Sequence, residues 1–272
     1  MKGRSVGLAA TAAQSRSQED LQVRARSGGW VNPASEMHCG LMSKLVARGK
    51  EAEGRGGRPV EVAMLQYDLA PHGIYPRQLR QAAAALRYLI EDCGIGPENI
   101  ILAGDSAGGN LALTLLAHLL QPHPSLAPLS LSRPLKSSVL LSPWVTFSQT
   151  SASMKACAQM DYLSLPGLTK GFEAFLGGAD VDVWNTPLAG EAGFWKGLEK
   201  KVGDVRVLAG GLEIFSDDIG VFVERLKVHN KERVELFVGE AEQHDPPVAD
   251  IFTGREGLCT LKMFDWMREL TE

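Results

Sequence analysis

The chain has 272 residues, enough for one large domain, and 44% of them are hydrophobic against 22% charged, a composition able to bury a sizeable core. A net charge of −4 with no concentrated basic stripe argues against nucleic acid as a partner. No apolar run reaches the roughly 18–20 residues that a membrane helix needs, so no transmembrane segment is expected.

The first twenty residues, MKGRSVGLAATAAQSRSQED, lack an apolar core long enough for a secretory signal. They are short of acids and contain Arg and Ser, which has some character of a transit peptide. A flexible tail over residues 1–20 and a cytoplasmic location are the expectation. The four cysteines, Cys39, Cys93, Cys157 and Cys259, form no C-x-x-C pair and read as free thiols. The histidines have no metal-ligand spacing, so no metal is expected.

From Leu21 onward, short β-like runs alternate with helical runs. The strands fall at Leu21–Ala25, Val60–Tyr67, Asn99–Ala103, Ser137–Leu141, Asp204–Ala209 and Arg233–Val238. The first has Gln22, Arg24 and Arg26 on one face, awkward for a strand buried on both sides. Either one sheet face is open there, or acids pair with these side chains, or the strand is poorly formed. GKEAEGRGGRP (Gly49–Pro59) reads as a flexible, solvated connection. In Gln78–Glu91, Leu79, Ala82, Leu86, Leu89 and Ile90 recur at helical spacing as one apolar stripe. Leu111–Leu120 is apolar nearly all round, as a helix buried against a sheet would be. The stretch 148–201 breaks the alternation and carries Met154, Met160, Phe172, Phe175, Trp184, Phe194 and Trp195. A loop of that length needs structure of its own, and it reads as a small helical lid. Ile214–His229 and Leu258–Leu270 are amphipathic helices. Alternating β and α predicts an α/β fold: one mostly parallel sheet with helices on both faces, in a single domain over residues 21–272.

Gly104-Asp105-Ser106-Ala107-Gly108 fits G-x-S-x-G between a strand and a helix, the context in which a serine is held on a sharp, strained turn with its Oγ exposed. The N–H groups of Ala107 and its neighbours begin a helix, where positive partial charge collects and an oxyanion is stabilised. A helix-capping serine is the plainer alternative. A phosphate loop is excluded because no Lys-Ser or Lys-Thr follows.

A nucleophilic serine needs a base, itself oriented by an acid, and on this fold the chain order is serine, acid, histidine. His244, in EAEQHDPP, follows the last strand in a loop stopped by two prolines, within reach of Ser106. The acid should follow Asp204–Ala209, where AGGLEIFSDDIG offers Glu213, Asp217 and Asp218. Glu213 is nearest the strand end. Asp217 is the runner-up, since it and Asp218 sit where the next helix begins and can cap it.

With these residues the chain resembles the hormone-sensitive-lipase-like esterases of the α/β-hydrolase superfamily, from about Gly28 to the end. YDLAPHGIYPRQL, GDSAGG, LLSPWV, DYLS, AGGLEIFSDD and EQHD are similar to that family's stretches and occur in its order. The resemblance implies cofactor-free hydrolysis of a small-molecule carboxylic ester by Ser106, His244 and Glu213. It implies an oxyanion hole at Gly28, Gly29 and Ala107. Two departures stand out. The family's H-G-G-G is Arg26-Ser27-Gly28-Gly29 here. The family also carries a longer N-terminal segment, so a shortened hydrolase is expected, with an exposed edge at Val60–Tyr67 that leaves a homodimer open. The departures also leave room for a catalytically weak or inactive binding or scaffold protein on the same fold. An amidase or deacylase is a nearer variant.

Overall fold

A computed structural model describes residues 20–25, 28–54 and 59–272; residues 1–19 of the predicted tail over 1–20, with Arg26, Ser27 and 55–58, lie outside the described residues, and Asp20 belongs to the first strand instead. Six strands form one sheet: β1 (Asp20–Ala25), β2 (Val60–Leu65), β3 (Ile100–Asp105), β4 (Leu135–Leu141), β5 (Val202–Gly210) and β6 (Val234–Gly239). Their order is β2-β1-β3-β4-β5-β6, and every described pairing is parallel. All six predicted strands are present, each within a few residues of its predicted ends. β1 pairs on both sides, with β2 from Asp20↔Val60 and with β3 from Leu21↔Ile100, so its backbone is a formed strand rather than a poorly formed one. Among the described residues β2 ends the sheet, as expected of an exposed edge.

Side chains on neighbouring strand positions face opposite ways, and two hydrophobic cores record it. Ile100, Leu102, Leu140, Val205 and Val207 join the core shared with helices α2 (Arg77–Glu91), α3 (Ala107–Leu120) and α6 (Ser216–Asn230). Ile101, Ala103, Val139, Leu141 and Leu208 join the core on the other face, with α1 (Glu36–Glu53) and α8 (Leu258–Thr271). The inner strands are therefore apolar at nearly every position, as burial on both faces requires. In α3, every residue from Ala107 to Leu119 is buried.

Between β4 and β5 the chain forms α4 (Ala152–Ala156), α5 (Leu165–Leu176) and three short 3-10 turns. Met154, Phe175 and Trp195 are buried within it, so the segment has a core of its own. Two expectations need correction. Gly49–Glu53 is the last part of α1, an 18-residue helix, rather than a flexible connection; Leu41, Met42 and Leu45 bury one face of α1, and that tertiary burial carries its polar end. Pro246 and Pro247 do not merely stop a loop: they open helix α7 (Pro246–Thr253), where the missing N–H groups of proline cost nothing. No helix among the described residues is long and apolar enough to cross a membrane.

The turn from β3 into α3 is tightly packed. A Cβ on Gly104 would lie 2.2 Å from the Gly108 carbonyl oxygen, with only backbone to yield. Gly104→Ala is expected to lose about 2–3 kcal/mol or to fail to fold, by overpacking. Gly220, inside α6, has open space around its Cβ position, and Gly220→Ala is expected to gain about 0.5–1 kcal/mol from helix propensity. Chemical denaturation of the two variants beside the parent checks both signs.

Candidate active site

Ser106 sits between β3 and α3 with φ 50° and ψ −117°, a conformation that costs a non-glycine residue energy. Three backbone hydrogen bonds hold it there. Its N–H donates to Leu141 O at the end of β4 (2.9 Å), and its carbonyl accepts from Asn110 N (3.0 Å) and Trp144 N (3.1 Å). The turn that carries Ser106 is thus tied to the neighbouring strand. Gly109 lets α3 approach the following loop, since a Cβ there would meet Pro143 at 2.9 Å.

His244 lies in the turn between β6 and α7. Its Nε2 is 2.9 Å from Ser106 Oγ, across 138 positions of sequence. The imidazole is packed edge-on against Phe215 (5.1 Å between centroids) and Tyr162 (5.8 Å). The two side chains meet because β3 and β6 are parallel strands of one sheet, and each functional loop leaves a carboxyl end.

Glu213 follows β5, just past the Gly210-Gly211 turn. It is wholly buried, and its Oε2 accepts from Ser142 Oγ (2.5 Å) and Gly210 N (2.9 Å). The same oxygen lies 3.8 Å from His244 Nδ1, longer than a hydrogen bond, and neither Nδ1 nor Glu213 Oε1 has a hydrogen-bond partner. Burial pushes the Glu213 carboxyl up to about 8, against the opposing effects of His244, Ser142 and the Gly210 N–H. Asp217 lies elsewhere. Its Oδ2 accepts from Ser153 N in the first turn of α4 (2.7 Å), so it ties α4 to α6, while Asp218 accepts from Ser151 Oγ (3.1 Å).

Gly28 and Gly29 have positive φ, 124° and 59°. The Gly28 carbonyl accepts from Asn32 N and Val31 N, which closes a tight turn. Trp30, buried, stacks on Phe175 of α5 at 4.0 Å, and Gly171 of α5 has no room for a Cβ beside the Gly29 carbonyl. The glycine loop is therefore clamped to the segment between β4 and β5. Gly28, Gly29, Ser106 and His244 line one cavity of about 260 Å³ together with Val31, Tyr162, Leu163 and Leu168. Ala107 N–H opens α3 immediately after the serine. The altered Arg26-Ser27 pair lies outside the described residues.

Three features escaped the sequence reading. Ser142, with φ 41°, orients Glu213. His38 of α1 meets Asp105, the residue before the serine, at 3.1 Å; its Nδ1 accepts from Ser35 N, which puts the ring proton on the Nε2 facing Asp105. Asp245, 3% exposed, has its Oδ2 3.2 Å from His244 Nε2. Burial opposes the charged imidazole of His244, but the Asp245 and Glu213 carboxylates outweigh it and hold the ring up to about 9. The quoted motifs contain Asp105 and Asp245, yet nothing in their spacing says that they meet histidines.

Comparison with known proteins places this geometry. Residues 23–247 match the family described as the alpha/beta hydrolase fold. An esterase of Acinetobacter venetianus is 32% identical over 140 residues, 51% of this chain and 40% of that protein. Hormone-sensitive lipase of the mouse is 34% identical over 98 residues, 35% of this chain and 12% of the lipase. The chain thus spans less than half the length of these curated relatives. Among solved structures, an esterase from the bacterial hormone-sensitive lipase family superposes with a TM-score of 0.74 at 25% identity, covering 96% of this chain and 80% of that one. With a strained serine elbow, parallel strands in this order and a family match across most of its length, the chain belongs to the α/β-hydrolase fold family, in its hormone-sensitive-lipase-like group.

Proposed function

We propose that this protein hydrolyses carboxylic esters of small or medium acyl groups through Ser106, His244 and Glu213. The observation that carries the reading is the 2.9 Å contact between His244 Nε2 and Ser106 Oγ, made by two loops that only the folded sheet brings together. Ser106 Oγ attacks the acyl carbon while its proton passes to Nε2. The carbonyl oxygen becomes an oxyanion, stabilised by the N–H groups of Gly28, Gly29 and Ala107. The imidazolium then gives the proton to the departing alkoxide, and an acyl-Ser106 ester remains. Water repeats the sequence, with its proton taken by His244, and releases the acid. Glu213 stabilises the imidazolium from the Nδ1 side.

In this reading the segment 148–201 is a lid. Tyr162, Leu163 and Leu168 supply one wall of the cavity, and α5 presses the glycine loop into place. A cavity of about 260 Å³ is small for a ligand site and apolar at Val31, Leu163 and Leu168, which suits a short acyl chain. One observation favours the rival reading, a weak or inactive relative that binds rather than cleaves. The 3.8 Å gap between Glu213 and Nδ1 leaves the ring without its orienting hydrogen bond. Such bonds are often long before substrate tightens the site.

A fluorophosphonate probe separates the two. The parent is expected to label at Ser106, and Ser106→Ala is expected neither to label nor to retain more than about 10⁻⁴ of the parent kcat. An unlabelled parent overturns the esterase reading.

A Cβ on Gly28 would lie 2.5 Å from Asn32 O at a φ of 124°. Gly28→Ala is therefore expected to displace the glycine loop and lower kcat by about 10²–10³, the usual cost of one oxyanion donor. Steady-state kinetics at unchanged KM would assign the loss to the transition state.

Across p-nitrophenyl esters, acetate and butyrate are expected to exceed octanoate in kcat/KM by about tenfold or more. Equal rates would mean that the cavity does not hold the acyl group.

A further inference from the structure

Asp245 occupies the N-cap position of α7, where an aspartate ordinarily accepts a hydrogen bond from its own helix. Here its side chain makes no such bond. The residue is instead twisted to φ 48° and ψ 55°, and its Oδ2 is 3.2 Å from His244 Nε2. That is the nitrogen that faces Ser106 Oγ at 2.9 Å. The twist is held from both ends. Asp245 N donates to Ser142 Oγ (3.0 Å), the hydroxyl that also donates to Glu213, and its carbonyl accepts from Val248 N and Ala249 N. Asp245 Oδ1 is buried with no hydrogen-bond partner, and the other oxygen, Oδ2, is the one beside the imidazole.

Resting on the hydrolase reading, we propose that Asp245 is a positioning residue that competes with Ser106 for Nε2 of His244: its carboxylate favours a proton on that nitrogen, which must leave to solvent before the ring can accept the proton of Ser106.

The geometry leaves a choice of two states. With the proton present, the imidazolium is paired with the Asp245 carboxylate 3.2 Å from Nε2 and has no lone pair for the serine. With it gone, Nε2 accepts from Ser106 Oγ–H, and the bare carboxylate of Asp245 remains beside the ring. When the serine proton arrives on Nε2 during attack, the same carboxylate stabilises the imidazolium. Asp245 thus works against the base at rest and for it in the transition state. The other groups that face this pair are Glu213 after β5, Asp161 and Tyr162 before α5, and Asp105 at the end of β3 with His38 of α1 behind it. Glu213 and Asp161 push the imidazole in the same direction as Asp245, though less strongly, so the Asp245 contribution has to be isolated by substitution.

The test is the acid limb of kcat/KM against pH, which reports ionisation in the free enzyme, together with NMR titration of ¹³C-labelled histidines. In the parent the limb is expected above the ordinary imidazole value of about 6.5. In Asp245→Asn it is expected to move down by about one unit or more, the usual effect of removing a charge at this distance. The midpoint reads this whatever the height of the plateau. A midpoint that stays put while the rate falls at every pH would make Asp245 merely structural and overturn the proposal. Should Asp245→Asn not fold, Asp245→Ser takes its place. If neither folds, the parent decides: a His244 titration at or below 6.5, or one that Glu213→Gln alone returns to 6.5, overturns the proposal. The NMR titration needs no turnover. A protein inert to esters whose His244 titration still drops in Asp245→Asn loses the hydrolase reading and keeps the Asp245–His244 competition. An active esterase with an unmoved limb does the reverse.

Discussion

One hydrogen bond, between the Ser106 hydroxyl and Nε2 of His244, organises the carboxyl end of this sheet. It cannot form in a disordered chain at useful frequency, because 138 residues separate its partners and closing such a loop costs entropy. The parallel sheet removes that cost in advance. β3, β4, β5 and β6 run in register in the same direction, so the loops after them emerge at one end, carrying Ser106, Ser142, Glu213 and His244 in spatial sequence. Burial of Ile100, Leu102, Leu140, Val205 and Val207 on one face and of Ile101, Val139 and Leu208 on the other sustains that register. The apolar core stabilises the sheet, and the sheet positions the polar site.

The electrostatics follow from depth. Glu213, His244 and Asp245 are all within 3% of complete burial, where a lone charge is costly and a paired one is tolerated. Two carboxylates around one imidazole cannot all hold their ordinary charges there. The shifts of all three groups run upward, which means that the cluster keeps protons to higher pH than the isolated groups would. For Glu213 the cause is desolvation. For His244 it is the two acids, which overcome desolvation. Ser142 and the Gly210 N–H limit the rise on Glu213 by donating to Oε2.

Much of this was legible in the sequence. The alternation of short β-like runs with helical runs sufficed for the α/β class and for six strands near their true ends. The serine, glutamate and histidine could be selected because each had to follow a particular strand. The misses share a cause. α1 is polar along much of its length and is held by contacts from elsewhere, so its periodicity is faint. Pro246-Pro247 begins a helix or ends a loop with equal ease in sequence, and only the chain before it decides. Ser142, His38 and Asp245 act through distances between elements, and no spacing along the chain encodes those.

Backbone strain points the same way. Among the described residues, the non-glycine positions with positive φ are Trp30, Ser106, Ser142 and Asp245. They follow β1, β3, β4 and β6, and all four surround the site. Glycine would relieve each of them, since it adopts these conformations without penalty. Each position instead keeps a side chain that glycine lacks. Trp30 clamps the glycine loop to Phe175, Ser106 presents its hydroxyl to the imidazole, Ser142 donates to Glu213, and Asp245 faces Nε2. Strain of about 1–3 kcal/mol at each position persists only where surrounding structure over-determines it. A chain that used this fold as a scaffold alone would need neither a buried Glu213 for Ser142 to hold nor a carboxylate beside His244. The retention of Ser142 and Asp245 in strained geometry therefore favours a site that moves protons over one that has become packing.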